Sequence, residues 1–127
     1  MSDNLTNTGE NRALDFILGN TATAPTTPLK VALVTAAGSD TAAGTEVTGG
    51  GYARQNLSVA AAVNGATSNS ADLVWSNMPA VTVVGVEIWD SAGTPVRLWY
   101  GSLTASRTVS AGDEMRLTAG SLTFSLA

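Results

Sequence analysis

The apolar residues of this chain fall into short runs that alternate with polar residues, a spacing typical of β-strands. About seven runs have the length of a strand, and turn-forming residues separate them. The runs cover 29–35, 52–62, 71–75, 80–89, 96–102, 114–117 and 122–126. Strands do not alternate with helices, so a parallel α/β sheet is not expected. We therefore predict a mainly β fold, an antiparallel β-sandwich of jelly-roll or immunoglobulin-like type with a short N-terminal helix.

The helix is predicted at residues 7–19, where apolar residues recur every three or four positions rather than every second position. Its apolar positions are Ala13, Leu14, Phe16, Ile17 and Leu18. Asn7 is the predicted N-cap, with Glu10 completing a capping box, and Gly19 is predicted to follow the last turn. Such a short helix needs a packing partner. That partner is either one end of the sheet or a neighbouring subunit, and both interpretations stay open.

Two prolines in the connector 20–28, Pro25 and Pro28, keep that segment extended. We therefore divide the chain into residues 1–28, the N-terminal helix and connector, and residues 29–127, the β-sandwich. At 127 residues the two parts are expected to form a single globular domain.

A long loop is predicted over residues 36–51, and loops of this length are often functional. It ends in three consecutive glycines, Gly49, Gly50 and Gly51. We expect at least one of them to have a positive φ and to let the main chain pass close to another segment. Tyr52 and Arg54, directly after the glycines, are expected to share a face. Turns are also predicted at 64–65 and at 118–121, the latter joining the last two strands as a hairpin.

The hairpin formed by 80–89 and 96–102 has two neighbouring registers, and the apolar pattern favours one of them. In that register Ile88 lies opposite Leu98, Trp89 opposite Arg97, and Glu87 opposite Trp99. It also places Val84, Val86 and Tyr100 on the inner face with Ile88 and Leu98. Arg97 can then reach Glu87 diagonally and stack on Trp89.

The outer face of this hairpin would carry two tryptophans beside one ion pair. An isolated monomer seldom exposes such a patch, so we expect another subunit to cover it. The alternative is that the helix at 7–19 covers it within the same chain. The candidate interface residues are Tyr52, Arg54, Glu87, Trp89, Arg97 and Trp99.

The charge of the chain and its lack of targeting signals argue against nucleic acid and membranes as partners and favour another protein. Six basic and ten acidic residues give a net charge of −4, so the basic footprint of a nucleic-acid-binding protein is missing. Only 13% of the residues are charged, about half the usual fraction, and a neutral surface suits burial against other protein. The sequence lacks an apolar run long enough to cross a membrane and a signal peptide after Met1. We expect synthesis in a cytoplasm and a role without a membrane or nucleic acid.

The sequence also lacks the motifs of common catalytic and metal sites. The chain contains no histidine and no cysteine, which removes the commonest general base, metal ligand and thiolate. The glycine run lacks the lysine and the following helix of a phosphate-binding loop. Asp40, Glu46, Asp72 and Asp90 do not follow the spacing of a calcium loop. We assign no catalytic, cofactor or metal residue and predict that the chain is not an enzyme. A carbohydrate-binding module, with the tryptophans stacking on sugars, stays open.

The segment 45–55, which reads TEVTGGGYARQ, is similar to a family of small virion structural proteins of tailed bacteriophages. The similarity runs nearly end to end, through NRALDFILG at 11–19, LKVALVTA at 29–36, ATSNSAD at 66–72, VGVEIWD at 84–90 and LTASRTVSAGD at 103–113. Members are labelled as tail-fibre or decoration proteins.

The resemblance implies a non-catalytic structural role in the virion, after synthesis in the host bacterial cytoplasm. The partners are then other virion proteins. We expect the major capsid protein first and tail proteins second, and we expect a homo-oligomer. Our first expectation is a capsid decoration (cement) protein that binds the outer shell. The alternative is a tail or fibre component, an adaptor or a receptor-contacting tip.

Overall fold

Antiparallel strand pairing builds three sheets in the computed structural model, which describes residues 2–21 and 23–126. The described chain contains one helix and ten strands. They are β1 (Ser2–Leu5), α1 (Asn7–Ile17), β2 (Lys30–Ala36), β3 (Thr45–Glu46), β4 (Gln55–Asn56), β5 (Ala66–Ser68), β6 (Leu73–Trp75), β7 (Val81–Trp89), β8 (Arg97–Val109), β9 (Met115–Leu117) and β10 (Thr123–Ser125).

The largest sheet has the strand order β1-β8-β7-β2-β3, and β4 also pairs with β2. Two small sheets each contain two strands, β5 with β10 and β6 with β9. The prediction of a mainly β, antiparallel fold with one short N-terminal helix is confirmed.

The hydrophobic core lies between the large sheet and the two small ones. Leu33 of β2 and Ile88 of β7 belong to the same buried cluster as Trp75 of β6, Leu117 of β9 and Phe124 of β10. Side chains on alternate residues of facing strands therefore meet in one layer, as in a sandwich.

The N-cap of α1 lies one residue earlier than predicted, so that Asn7 is the first residue of the helix. Thr6 is the N-cap: its hydroxyl accepts from the main-chain N–H of Gly9 at 3.0 Å and donates to the carbonyl of Arg97 at 2.9 Å. The predicted capping box of Asn7 and Glu10 is therefore wrong. Thr6 is preferred because its hydroxyl caps the helix and binds β8 at the same time. As predicted, Gly19 follows the helix end, with φ +77°.

The predicted strand pattern differs from the structure in several segments. Strands β1, β3 and β5 lie where no strand was predicted, and β8 continues seven residues beyond its predicted end. The run 52–62 forms only the two-residue strand β4 and an isolated bridge from Val59 to Asn69. Its alanines at 60–62 are exposed and have little side chain to bury. The predicted hairpin at 118–121 is also wrong, since β9 pairs with β6 and β10 pairs with β5.

Side chains from another part of the chain hold that turn. The amide of Asn69 donates to the carbonyl of Thr118 at 3.0 Å and accepts from the N–H of Leu122 at 2.9 Å. Asp72 accepts from the N–H of Ala119 at 2.8 Å. These bonds replace the ladder that a hairpin would have made. The predicted turn at 64–65 is confirmed, because it joins the bridge between Val63 and Ala66.

The hairpin of β7 and β8 has a register irregularity that the apolar pattern did not predict. Trp89 pairs with Arg97 as expected, but Ile88 pairs with Trp99, so Leu98 is the extra residue. A one-residue shift moves the following side chains to the other face. Trp99 therefore packs against the core, where it meets Phe124 edge to face with ring centroids 5.2 Å apart.

Candidate interaction surfaces

A buried ion pair lies at the centre of the predicted interface. Arg97 Nη1 is 3.3 Å from Glu87 Oε2, which confirms the predicted contact, and Glu87 is only 1% exposed. The loop between β2 and β3 covers the pair: Gly44 N–H donates to Glu87 at 2.8 Å, and Arg97 donates to the carbonyl of Ser39. Neither another subunit nor α1 is needed to cover these two charges, because the chain's own loop does so.

A second polar cluster, centred on Glu46, joins the predicted residues Tyr52 and Arg54. Arg54 binds both carboxylate oxygens of Glu46, at 2.9 and 3.0 Å. The Tyr52 hydroxyl donates to Glu46 at 2.7 Å and accepts from the main-chain N–H of Leu33 at 3.0 Å. The prediction that Tyr52 and Arg54 share a face is confirmed. From the sequence, Glu46 was not predicted to bind Tyr52 and Arg54. The feature that could have indicated it is the position of Glu46 six residues before Tyr52, on the other side of the glycine run.

Arg54 also takes the stacking position that was predicted for Arg97. Its guanidinium lies 4.5 Å from the ring centroid of Trp89. The predicted stacking of Arg97 on Trp89 is wrong, since Arg97 lies 5.4 Å from the ring of Tyr100 instead. Arg97 is held in that position by Glu87 and by the covering loop.

The electrostatics of the Glu46 cluster favour one fixed protonation state. Burial raises the pKa of Glu46, but the hydrogen bonds from Arg54 and Tyr52 outweigh it, and the pKa lies below the usual value. Burial and the bond to Glu46 raise the pKa of Tyr52 above its usual range. An ionised carboxylate bound to a protonated phenol is a structural clamp rather than a general acid or base at neutral pH.

The glycine run seats this clamp against a neighbouring loop. Gly49 and Gly50 have φ of +99° and +55°, as predicted. A Cβ on Gly50 would lie 2.8 Å from the carbonyl oxygen of Asn77, closer than real Cβ atoms come. The N–H of Gly51 donates to that same carbonyl at 2.7 Å. The run therefore lets the main chain pass close to residues 77–79, as expected of it.

An apolar groove of about 530 Å³ lies between α1, the connector and β8. Its walls include Phe16, Ile17, Pro25, Leu98, Trp99 and Leu126. Trp89 lines a different groove, of about 400 Å³, with Arg97, Thr6 and Asp40. The two tryptophans therefore do not form the single outer patch that the predicted register implied.

The described residues contain no group of acidic side chains arranged to hold a metal ion. No helix among them is long and apolar enough to cross a membrane. The fold is that of a small β-rich domain. Its polar clusters fix loops in place, and its exposed groove is suited to contact with protein.

The chain belongs to the family described as podophage GP4 fiber I protein gp80, whose family model matches residues 4–125. No curated protein matches the chain. The chain is therefore a phage virion structural protein of a fibre-type family, made in the cytoplasm of the host and located in the virion. This family membership indicates contacts with other virion proteins and a non-enzymatic role.

Proposed function

We propose that this chain is a non-catalytic subunit of a virion fibre. The observation that carries the proposal is the family match over residues 4–125, which includes all but two residues of the described strands and helix. The family description names a fibre protein, and this favours the tail or fibre alternative over capsid decoration.

The positions of the carboxylates support a structural role. Glu46 and Glu87 are each bound to an arginine, and Asp90 accepts main-chain N–H groups. Asp72 binds Arg116 at 2.9 Å. A general acid or base needs a carboxyl group that can reach a substrate, whereas these four groups connect segments of the fold.

Capsid decoration is the second candidate, because a charge-poor surface suits close packing on a shell. With 13% charged residues, little charge would be desolvated when the domain binds another protein. In that case the partner would be the major capsid protein, whereas a fibre subunit would contact tail proteins.

Trp99 is the member of the predicted interface set that lines the apolar groove. Trp89 and Arg97 line the second groove and are proposed as a secondary contact. We propose that Tyr52, Arg54 and Glu87 act indirectly, by holding the surface loops that a partner meets.

The copy number of the chain in purified particles tests the proposal. Quantitative mass spectrometry of virions, with the major capsid protein as the high-copy standard and the portal protein as the low-copy standard, measures it. We expect a copy number close to that of the tail proteins. A copy number comparable to the major capsid protein would support decoration instead, and absence from the particle would overturn both functions.

A further inference from the structure

The apolar stripe of α1 is covered at one end and bare at the other. Gly9 is buried, and its missing Cβ would lie 2.5 Å from the carbonyl oxygen of Leu98. Phe16 and Ile17 continue the same stripe at helical spacing, yet they are 60% and 69% exposed. The helix therefore rests on the sheet through its first turns only, and its last turns border the open groove.

A second apolar line runs along the outer side of the same helix. Leu14 and Leu18 lie one turn apart and are 58% and 76% exposed. Glu10 precedes Leu14 by four residues and is exposed on that line. We call these three residues the α1 ridge. It offers two large apolar side chains with a carboxylate at one end.

The groove offers the opposite charge. Arg12 is the one charged side chain among the described residues that line it. Among the described residues its nearest carboxylate is that of Asp90, 3.9 Å away, which is too long for a hydrogen bond. Asp90 already accepts the N–H groups of Val96, Ala92 and Thr26. Arg12 therefore retains guanidinium N–H groups that can bind an incoming carboxylate.

We propose that the groove of one copy binds the α1 ridge of a second copy of this chain. Leu14 and Leu18 of the second copy would enter the apolar groove, and Glu10 would pair with Arg12. Each copy carries both complementary parts, so the contact leads to a homo-oligomer, either a reciprocal dimer or a head-to-tail ring or filament. A partner with a basic ridge would be repelled by Arg12, whereas the chain's own ridge is acidic.

The exposed area is of the right size for such a contact. Four apolar side chains of α1 are more than half exposed, and each offers on the order of 100 Å². These four side chains thus supply roughly half of the ~800 Å² that a stable interface buries per partner, and the groove walls formed by the connector and β8 supply further area. This inference concerns self-association of the purified chain and does not depend on its place in the virion.

Analytical ultracentrifugation of the purified full chain tests the inference, with Leu18→Glu as the disrupting variant. We expect the wild type to associate as concentration rises and Leu18→Glu to sediment as a monomer, because the new carboxylate would have to enter the apolar groove. The matched control is Val63→Glu, the same change at a side chain that is 67% exposed and lies outside both groove and ridge. Val63→Glu should associate like the wild type.

Charge reversal tests the ion pair separately. Glu10→Arg and Arg12→Glu should each weaken self-association by roughly tenfold or more, and an equimolar mixture of the two variants should associate again. Thermal unfolding of each variant shows that its fold is retained. A wild type that stays monomeric at all concentrations, or equal association of Leu18→Glu and Val63→Glu, would overturn the proposal.

Discussion

Asp90 ties the hairpin of β7 and β8 to the connector that follows α1, and its removal gives the sharpest prediction of stability. One carboxylate oxygen accepts from the N–H of Val96 at 2.8 Å and of Ala92 at 3.3 Å. The other accepts from the N–H of Thr26 at 3.4 Å and faces Arg12. The carboxylate is buried, so after its removal water does not take its place as the acceptor for these N–H groups.

The expected cost follows from these bonds. A hydrogen bond to a charged group contributes about 1.5–3 kcal/mol, and the two longer bonds contribute less. Asp90→Ala should therefore lower the free energy of unfolding by about 3–4 kcal/mol. Asp90→Asn keeps an oxygen for Val96 and Ala92 but turns an amide donor towards Thr26 and Arg12. It should cost about 1–2 kcal/mol.

Urea unfolding followed by tryptophan fluorescence measures both values, provided that the slope m is unchanged. The control is Asp113→Ala at an exposed turn, which should change stability by less than about 0.5 kcal/mol. If Asp90→Ala and Asp113→Ala cost the same, or if Asp90→Asn costs as much as Asp90→Ala, the reasoning is refuted.

The same carboxylate predicts an acid dependence. Burial raises the pKa of Asp90, but the three main-chain N–H groups outweigh it, and the pKa is lowered in the folded protein. A lowered folded pKa contributes stability above the unfolded value, about 3.9, which is lost as the pH falls below it. The difference between wild type and Asp90→Asn should therefore shrink between about pH 5 and pH 3.

Two further predictions concern the glycine run and the clamp. Gly50→Ala should destabilise the fold by about 1 kcal/mol or more beyond the cost of Gly112→Ala. Both glycines have a positive φ, but of the two only Gly50 lies close to a carbonyl, that of Asn77. Equal melting temperatures of the two variants would contradict this. Since the pKa of Tyr52 is raised, the folded protein should lose stability as the pH rises above about 10, and Tyr52→Phe should weaken that loss. Urea unfolding at neutral and alkaline pH checks this, and an unchanged alkaline loss in Tyr52→Phe would contradict it.

Local pattern predicted the central strands well and their pairing less well. The run at 80–89 matches β7 because its alternation of large and small or polar residues extends over a full strand. The predicted register with β8 is wrong beyond Leu98, since a β-bulge depends on tertiary contacts that the local sequence pattern does not contain. Burial of Trp99 against Phe124, from a distant part of the chain, favours the extra residue.

The candidate site was predicted as a set of residues but not as a surface. Tyr52 and Arg54 do lie beside the hairpin that carries Glu87 and Arg97, because the segment 45–55 places Arg54 against Trp89. The burial of Glu87 and Arg97 under the loop 37–44 could not be predicted from the sequence, since that loop is held by single hydrogen bonds to these two side chains. The apolar groove was missed because it depends on how far α1 extends beyond the sheet.

The location of the chain on the particle tests the central claim most directly. Electron microscopy of purified virions labelled with antibodies against this chain would show it. If the chain is a fibre subunit, the label lies at the tail and its fibres and is absent from the capsid faces. Label distributed over the whole shell, with bare fibres, would show that the chain is a capsid protein and not a fibre subunit.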